Sequence, residues 1–272
     1  MSTPYLRIHL FGAFNLVYGD EIIASLHAAR LQSLVTYLLL NRGVMPPRQQ
    51  IAFLFWPETS DAQAQTNLRQ LLHTLRRRLP TTGDYLLLNE RSVGWRADAD
   101  YTLDVAEFEQ ALLAAAQGDG LVKLNALERA VTIYSGDLVP GCYDEWIIPV
   151  RERLRQAFVT ALEELVLLYE AHRNYAAAIA HAQRLLDYEP IHEATYRHLM
   201  RLFALTGDRT AALRVYHTCV SALERELDVT PSAATREAYA RLLQVDGALV
   251  PPRPARSKMS WARRARPGSA PR

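Results

Sequence analysis

The feature that most limits what this chain can fold into is an internal repeat. Leu165, Leu168, Tyr169, Ala177, Ala178 and Ile179 recur 34 residues later as Leu199, Leu202, Phe203, Ala211, Ala212 and Leu213. The turn candidates repeat as well, Arg173-Asn174 in the first copy and Gly207-Asp208 in the second. A period of that length, with apolar residues three and four apart on either side of a turn, is the signature of tetratricopeptide helix pairs. Such a pair leaves an apolar face that only a neighbour can bury. Helical patterning surrounds the repeat from Val105 to about Val245. It predicts a tetratricopeptide-like, all-α module over residues 101–245, with two clear repeats and flanking helices that cap them.

The first 100 residues follow other periods. Leu6, Ile8 and Leu10 alternate with Arg7 and His9, and Phe14 to Tyr18 leads through Gly19-Asp20 to Ile22-Ile23. Alternation between turn residues predicts a small antiparallel sheet. Ala28, Leu31, Leu34, Val35, Leu38 and Leu39 then mark a helix that stops at Asn41-Arg42-Gly43. Pro46-Pro47 restarts the chain, and Gln49 to Phe55 forms a second, short helix before Trp56-Pro57. The third helix is the best marked. Ser60-Asp61-Ala62-Gln63 fits a capping box, in which Ser60 takes one free N–H and Gln63 reaches back to another. Ala64, Leu68, Leu71, Leu72, Leu75 and Leu79 form its apolar stripe, and Pro80 closes it. Tyr85 to Asn89 and Val93 to Ala97 predict a hairpin around Glu90-Arg91-Ser92. Sheet, three helices and hairpin is the order of a winged helix-turn-helix, with the hairpin as wing. The fold class is thus mainly α with a small β component: a winged helix over 1–100, then the helical module.

Charge is distributed unevenly along the 272 residues. The first 100 hold ten arginines against eight acidic residues, and 101–250 hold 14 basic against 21 acidic ones. Residues 251–272 hold seven basic residues and no acid. The middle region has the wrong sign for a nucleic-acid surface. Any such surface belongs to the first 100 residues or to the tail. Residues 246–272, with five prolines, are expected to be a disordered basic tail. Apolar residues are 49% and charged residues 22%, the balance of a globular domain. No apolar run approaches the ~20 residues of a membrane span. No export signal is evident, so a cytoplasmic setting is expected, with Cys142 and Cys219 as reduced, buried apolar residues.

The face of the third helix opposite its leucines carries Thr66, Asn67, Arg69, Gln70, His73, Thr74, Arg76 and Arg77. A major groove admits one helix, and forked or amide side chains read base edges there: Arg on guanine, Gln or Asn on adenine. No acid follows Asp61 in the helix, and Asp61 sits at its start, where the macrodipole favours it. Arg76, Arg77 and Arg78 are candidates for phosphates, which position without specifying. Arg91 at the hairpin tip is a further candidate for the minor groove or backbone. Arg48 is a phosphate candidate at the start of the second helix, and Arg30 is expected on the surface of the first. The same helix is also consistent with a solvated face, so a tetratricopeptide adaptor that binds protein without binding DNA is the competing reading.

Catalytic patterns are missing. His192-Glu193 has Tyr196 where a zinc-binding helix needs its second histidine. No Cys/His spacing fits zinc, there is no G-x-S-x-G, and nothing implies a cofactor. A non-enzymatic protein is expected.

Longer segments carry a resemblance. IAFLFWPETSDAQAQTNLRQLLHTLRRRL is similar to the winged-helix segment of the antibiotic-regulatory-protein (SARP) family of bacterial transcription activators. YLLLNERSVGWRADADYTLDVAEFEQAL resembles that family's wing and its passage to the next domain. EWIIPVRERLRQAFVTALEEL and the stretch from Tyr175 to Leu243 resemble its bacterial transcriptional activator domain. The resemblance implies an activator that binds direct repeats in double-stranded promoter DNA and recruits RNA polymerase; on tandem sites read by one face, protomers would self-associate head to tail about one helical turn apart. It puts the base-facing positions on Thr66, Asn67, Arg69, Gln70, His73 and Thr74. Larger members carry an ATPase, and nothing here fits G-x-x-x-x-G-K-[ST]. The chain therefore reads as a short-form regulator or as a truncated product of a longer gene.

Overall fold

The computed structural model describes residues 5–26 and 28–244. The expected tail, 246–272, lies outside them. The described chain divides into two compact units, one up to residue 195 and one from residue 196.

The first unit opens on a sheet. β1 (Leu6–His9) pairs antiparallel with β2 (Asn15–Tyr18), and β2 with β3 (Glu21–Ile22). Leu6, Ile8 and Leu10 are buried while His9 is exposed, as the alternation requires. α1 (Ala29–Leu40) and α2 (Arg48–Phe55) follow, then α3 (Asp61–Arg78). A single helical turn, α4 (Thr82–Tyr85), stands where the strand was expected to begin. The hairpin strands are β4 (Leu86–Leu88) and β5 (Val93–Trp95). Trp95 is fully buried and stacks on Tyr85 with ring centroids 5.9 Å apart.

The sheet is mixed rather than antiparallel. β6 (Tyr101–Leu103) lies parallel to β1, with Ile8 opposite Leu103, and the strand order is β3-β2-β1-β6. A strand that returns after three helices enters by crossover, and this one pairs in parallel. Asp104 fixes the arrangement. It is 9% exposed, and its carboxylate accepts N–H bonds from Leu10 (2.7 Å), Phe11 (2.9 Å) and Val105 (2.7 Å).

Helices then succeed one another: α5 (Asp104–Gln117), α6 (Gly120–Ile133), α7 (Ile148–Ala171) and α8 (Tyr175–Tyr188). Each packs on the next. The loop between α6 and α7 docks on the end of β1. Val139 N–H donates to the Leu10 carbonyl at 2.8 Å, and Gly12 N–H to Asp137 at 2.9 Å. Phe11 enters the helical core there, its ring 4.7 Å from Tyr134, which stacks on Phe158 at 4.2 Å. A 3₁₀ turn, Glu145–Ile147, precedes α7.

α9 (Glu193–Leu205) includes the division at residue 195. The second unit holds α10 (Arg209–Leu227) and α11 (Ala233–Gln244), joined by a Tyr216–Tyr239 stack at 3.9 Å. Cys219 is buried in this unit, as Cys142 is in the first.

The 34-residue repeat is visible bond by bond. Arg173 and Gly207 both adopt positive φ, 57° and 80°. Asn174 Oδ1 accepts from Ala177 N–H, and Asp208 Oδ1 from Ala211 N–H. Asn174 N–H donates to Tyr169, and Asp208 N–H to Phe203, each at 2.9 Å. Side-chain caps of this kind set where a helix begins.

Candidate nucleic-acid interface

α3 starts on Ser60, whose Oγ accepts from Gln63 N–H at 3.4 Å. Only half of the expected capping box forms. The Gln63 amide turns forward and donates to Asn67 Oδ1 at 2.8 Å, so it does not reach back. Ala64, Leu68, Leu72 and Leu75 are buried, which turns the opposite side of the helix to solvent. Leu71, placed in the stripe by its residue type, is half-buried at its margin.

The outward ridge is Thr66, Gln70, His73 and Arg77, spaced by four, three and four so that they share one face. Gln70, His73 and Arg77 are exposed, while Thr66, Asn67 and Thr74 are half-buried. Thr66 and Thr74 donate their hydroxyl protons to the helix's own carbonyls, at Ala62 (2.8 Å) and Gln70 (2.9 Å). They present methyls and lone pairs outward rather than donors. Arg69 and Arg76 flank the ridge on one side, and Asn67 and Thr74 on the other.

The hairpin is tied to α2. Arg48 N–H donates to the Arg91 carbonyl at 2.8 Å, and Val93 N–H to Pro46 at 3.3 Å. Asn89 Oδ1 accepts from Arg91 N–H (2.9 Å) and Ser92 N–H (2.6 Å), which shapes the tip. Between this tip, the start of α2 and α3 lies a cleft of about 360 Å³. Arg48, Arg69, Arg91, Gln49 and Gln65 line it, with Glu90 as its one carboxylate. Gln65 and Gln49 were not anticipated. Their signal was available for Gln65, one helical turn before Arg69, but not for Gln49, whose nearness to α3 is tertiary.

The ten arginines of the first 100 residues sort into two sets. Arg7 pairs with Asp20 (3.6 Å), Arg30 with Asp144 (2.8 Å), Arg42 with Glu109 (3.3 Å) and Arg96 with Asp98 (3.9 Å). Arg78 donates one N–H to the Ser25 carbonyl at 2.7 Å. Arg30 is also more than a surface residue, since it ties α1 to the loop before α7. The side chains of Arg48, Arg69, Arg76, Arg77 and Arg91 form no ion pair or hydrogen bond among the described residues. All five lie on α3, at the hairpin tip or at the start of α2. An unpaired guanidinium retains its charge and its solvent-facing donors for an external anion; in Arg48 the Nε–H is buried, which leaves the terminal nitrogens.

The described residues form a winged helix followed by a tetratricopeptide-like module. Residues 103–243 match the model of the bacterial transcriptional activator domain. The chain belongs to that family of bacterial transcriptional regulators. It is 24% identical over 229 residues to the transcriptional regulatory protein MoaR1 of Mycobacterium tuberculosis, covering 78% of this chain and 71% of that one. The MoaR1 protein of Mycobacterium bovis strain BCG is 24% identical over 226 residues, with the same coverage. Among solved structures, Mycobacterium tuberculosis EmbR in complex with a low affinity phosphopeptide shares the fold, with a TM-score of 0.68 at 20% identity over 89% of this chain. The chain spans 66% of that EmbR chain. No helix among the described residues is long and apolar enough to cross a membrane.

Proposed function

We propose that the chain activates transcription by binding double-stranded promoter DNA through α3. The ridge Thr66, Gln70, His73 and Arg77 enters the major groove, with Arg69 on a guanine edge and Asn67 or Gln70 on an adenine edge. Arg76, Arg48 and Arg91 hold phosphates on either side. Copies bind head to tail on direct repeats about 10–11 base pairs apart, one helical turn of DNA. The helical module contacts the neighbouring copy and RNA polymerase.

One observation carries the proposal: the five arginines of the first 100 residues without an internal partner all gather on α3, the hairpin tip and the start of α2. The test is promoter binding by the double variant Arg69→Ala, Arg77→Ala at matched salt. One lost guanine contact costs about 1–3 kcal/mol, so affinity falls by roughly tenfold or more. Unchanged affinity contradicts the proposal. A wild-type protein that shifts no promoter fragment while its helical module retains a protein partner establishes the adaptor instead.

A further inference from the structure

The first unit holds a second cleft, of about 250 Å³, away from the α3 face. It is lined by Tyr37 and Asn41 at the end of α1, Arg42, Glu109 of α5, Trp146, and Arg153 of α7. Its walls are aromatic: the Tyr37 and Trp146 rings meet edge to face, with centroids 5.3 Å apart. Its rim is cationic. Arg42 Nη2 lies 3.3 Å from Glu109 Oε2, and Arg153 Nη2 lies 3.1 Å from Glu109 Oε1. Two guanidinium groups share the one carboxylate of the lining, which leaves one positive charge in excess. One donor of the lining also lacks an acceptor: Trp146 Nε1 is shut off from solvent without a partner among the described residues. Buried donors are rarely left unpaired, so it calls for an explanation. The Tyr37 hydroxyl makes no hydrogen bond among the described residues and stays open to solvent.

We propose that this cleft binds a small aromatic carboxylate, its ring against Tyr37 and Trp146 and its carboxylate on Arg42 and Arg153. The guanidinium fork matches carboxylate geometry, and such charge-assisted bonds are roughly twice as strong as neutral ones. A cleft of this size admits one ring and a short acidic group. The location gives the ligand something to act on. Trp146 also stacks on Phe55 of α2, with centroids 6.1 Å apart, so it joins the helical module to the helix that packs on α3. Binding at this cleft stands apart from the DNA proposal, and its test reads binding alone.

The probe is benzoate, titrated into the full chain by calorimetry and tryptophan fluorescence. Saturable binding in the roughly millimolar range is expected for a ligand of nine heavy atoms. Benzamide, which lacks the charge, and acetate, which lacks the ring, each bind at least about tenfold more weakly. Arg153→Met weakens benzoate roughly tenfold, and its side chain is 60% exposed, so the fold tolerates the change. Arg153→Lys keeps the charge without the fork and falls between. Trp146→Phe removes the fluorescence change while heat is still released. Benzamide binding as tightly as benzoate overturns the proposal. So does unchanged benzoate affinity in Arg153→Met, or the absence of saturable heat at high millimolar concentration.

Discussion

Arg77 and Arg78 are neighbours in sequence with opposite fates. A helix turns by more than a quarter circle per residue, so one points outward and the other reaches the Ser25 carbonyl. Arg77→Ala should therefore weaken DNA binding with little change in melting temperature. Arg78→Ala should lower melting temperature slightly, by the ~0.5–1.5 kcal/mol of one hydrogen bond, and leave DNA affinity near wild type. Competition binding paired with thermal melts separates the two. Asp104 is a second residue whose role is tertiary. Burial pushes its carboxyl above the usual carboxylate range, although three backbone N–H bonds pull it back. An asparagine turns an N–H₂ toward one of those donors, so Asp104→Asn should cost about 1–3 kcal/mol. The folded state holds the proton more tightly than the unfolded one. Stability contributed by Asp104 thus rises as pH falls through its folded value and levels below its unfolded value. The gap between wild type and Asp104→Asn in melting temperature should widen in mild acid. A gap that narrows contradicts the assignment.

At the level of elements, α3 was legible from its sequence because leucines three and four apart point to one side whatever lies beneath them. Its start was only partly legible. Ser60 caps as expected, but Gln63 had a second acceptor one turn ahead in Asn67 and takes it. Ser60→Ala should thus cost about 0.5–2 kcal/mol, whereas Gln63→Ala should leave chemical denaturation nearly unchanged. β6 was not legible. Three residues, Tyr101–Leu103, are too short to show alternation, and the strand they pair with is more than 90 positions earlier. The second helical turn shows the reverse case. Asn174 and Asp208 repeat because each caps a helix through local bonds, and local bonds leave a periodic trace.

For the whole molecule, sequence gave the charge of each region but not its use. Arg30, Arg42, Arg69 and Arg77 look alike as residues. What distinguishes them is an acid across the fold, Asp144 for Arg30 and Glu109 for Arg42, and no ion pair among the described residues for the other two. Pairs and hydrogen bonds within the fold thus engage five of the ten arginines of the first 100 residues and leave the other five on α3, the hairpin tip and the start of α2. The most direct measurement compares two double variants that remove the same charge: Arg76→Ala with Arg77→Ala, and Arg7→Ala with Arg96→Ala. Promoter affinity is followed from low to moderate salt. The first pair should lower affinity and reduce the slope of log affinity against log salt by about 1 to 2, while the second leaves both near wild type. Equal losses in the two pairs would mean that net charge, and not the α3 face, holds the DNA.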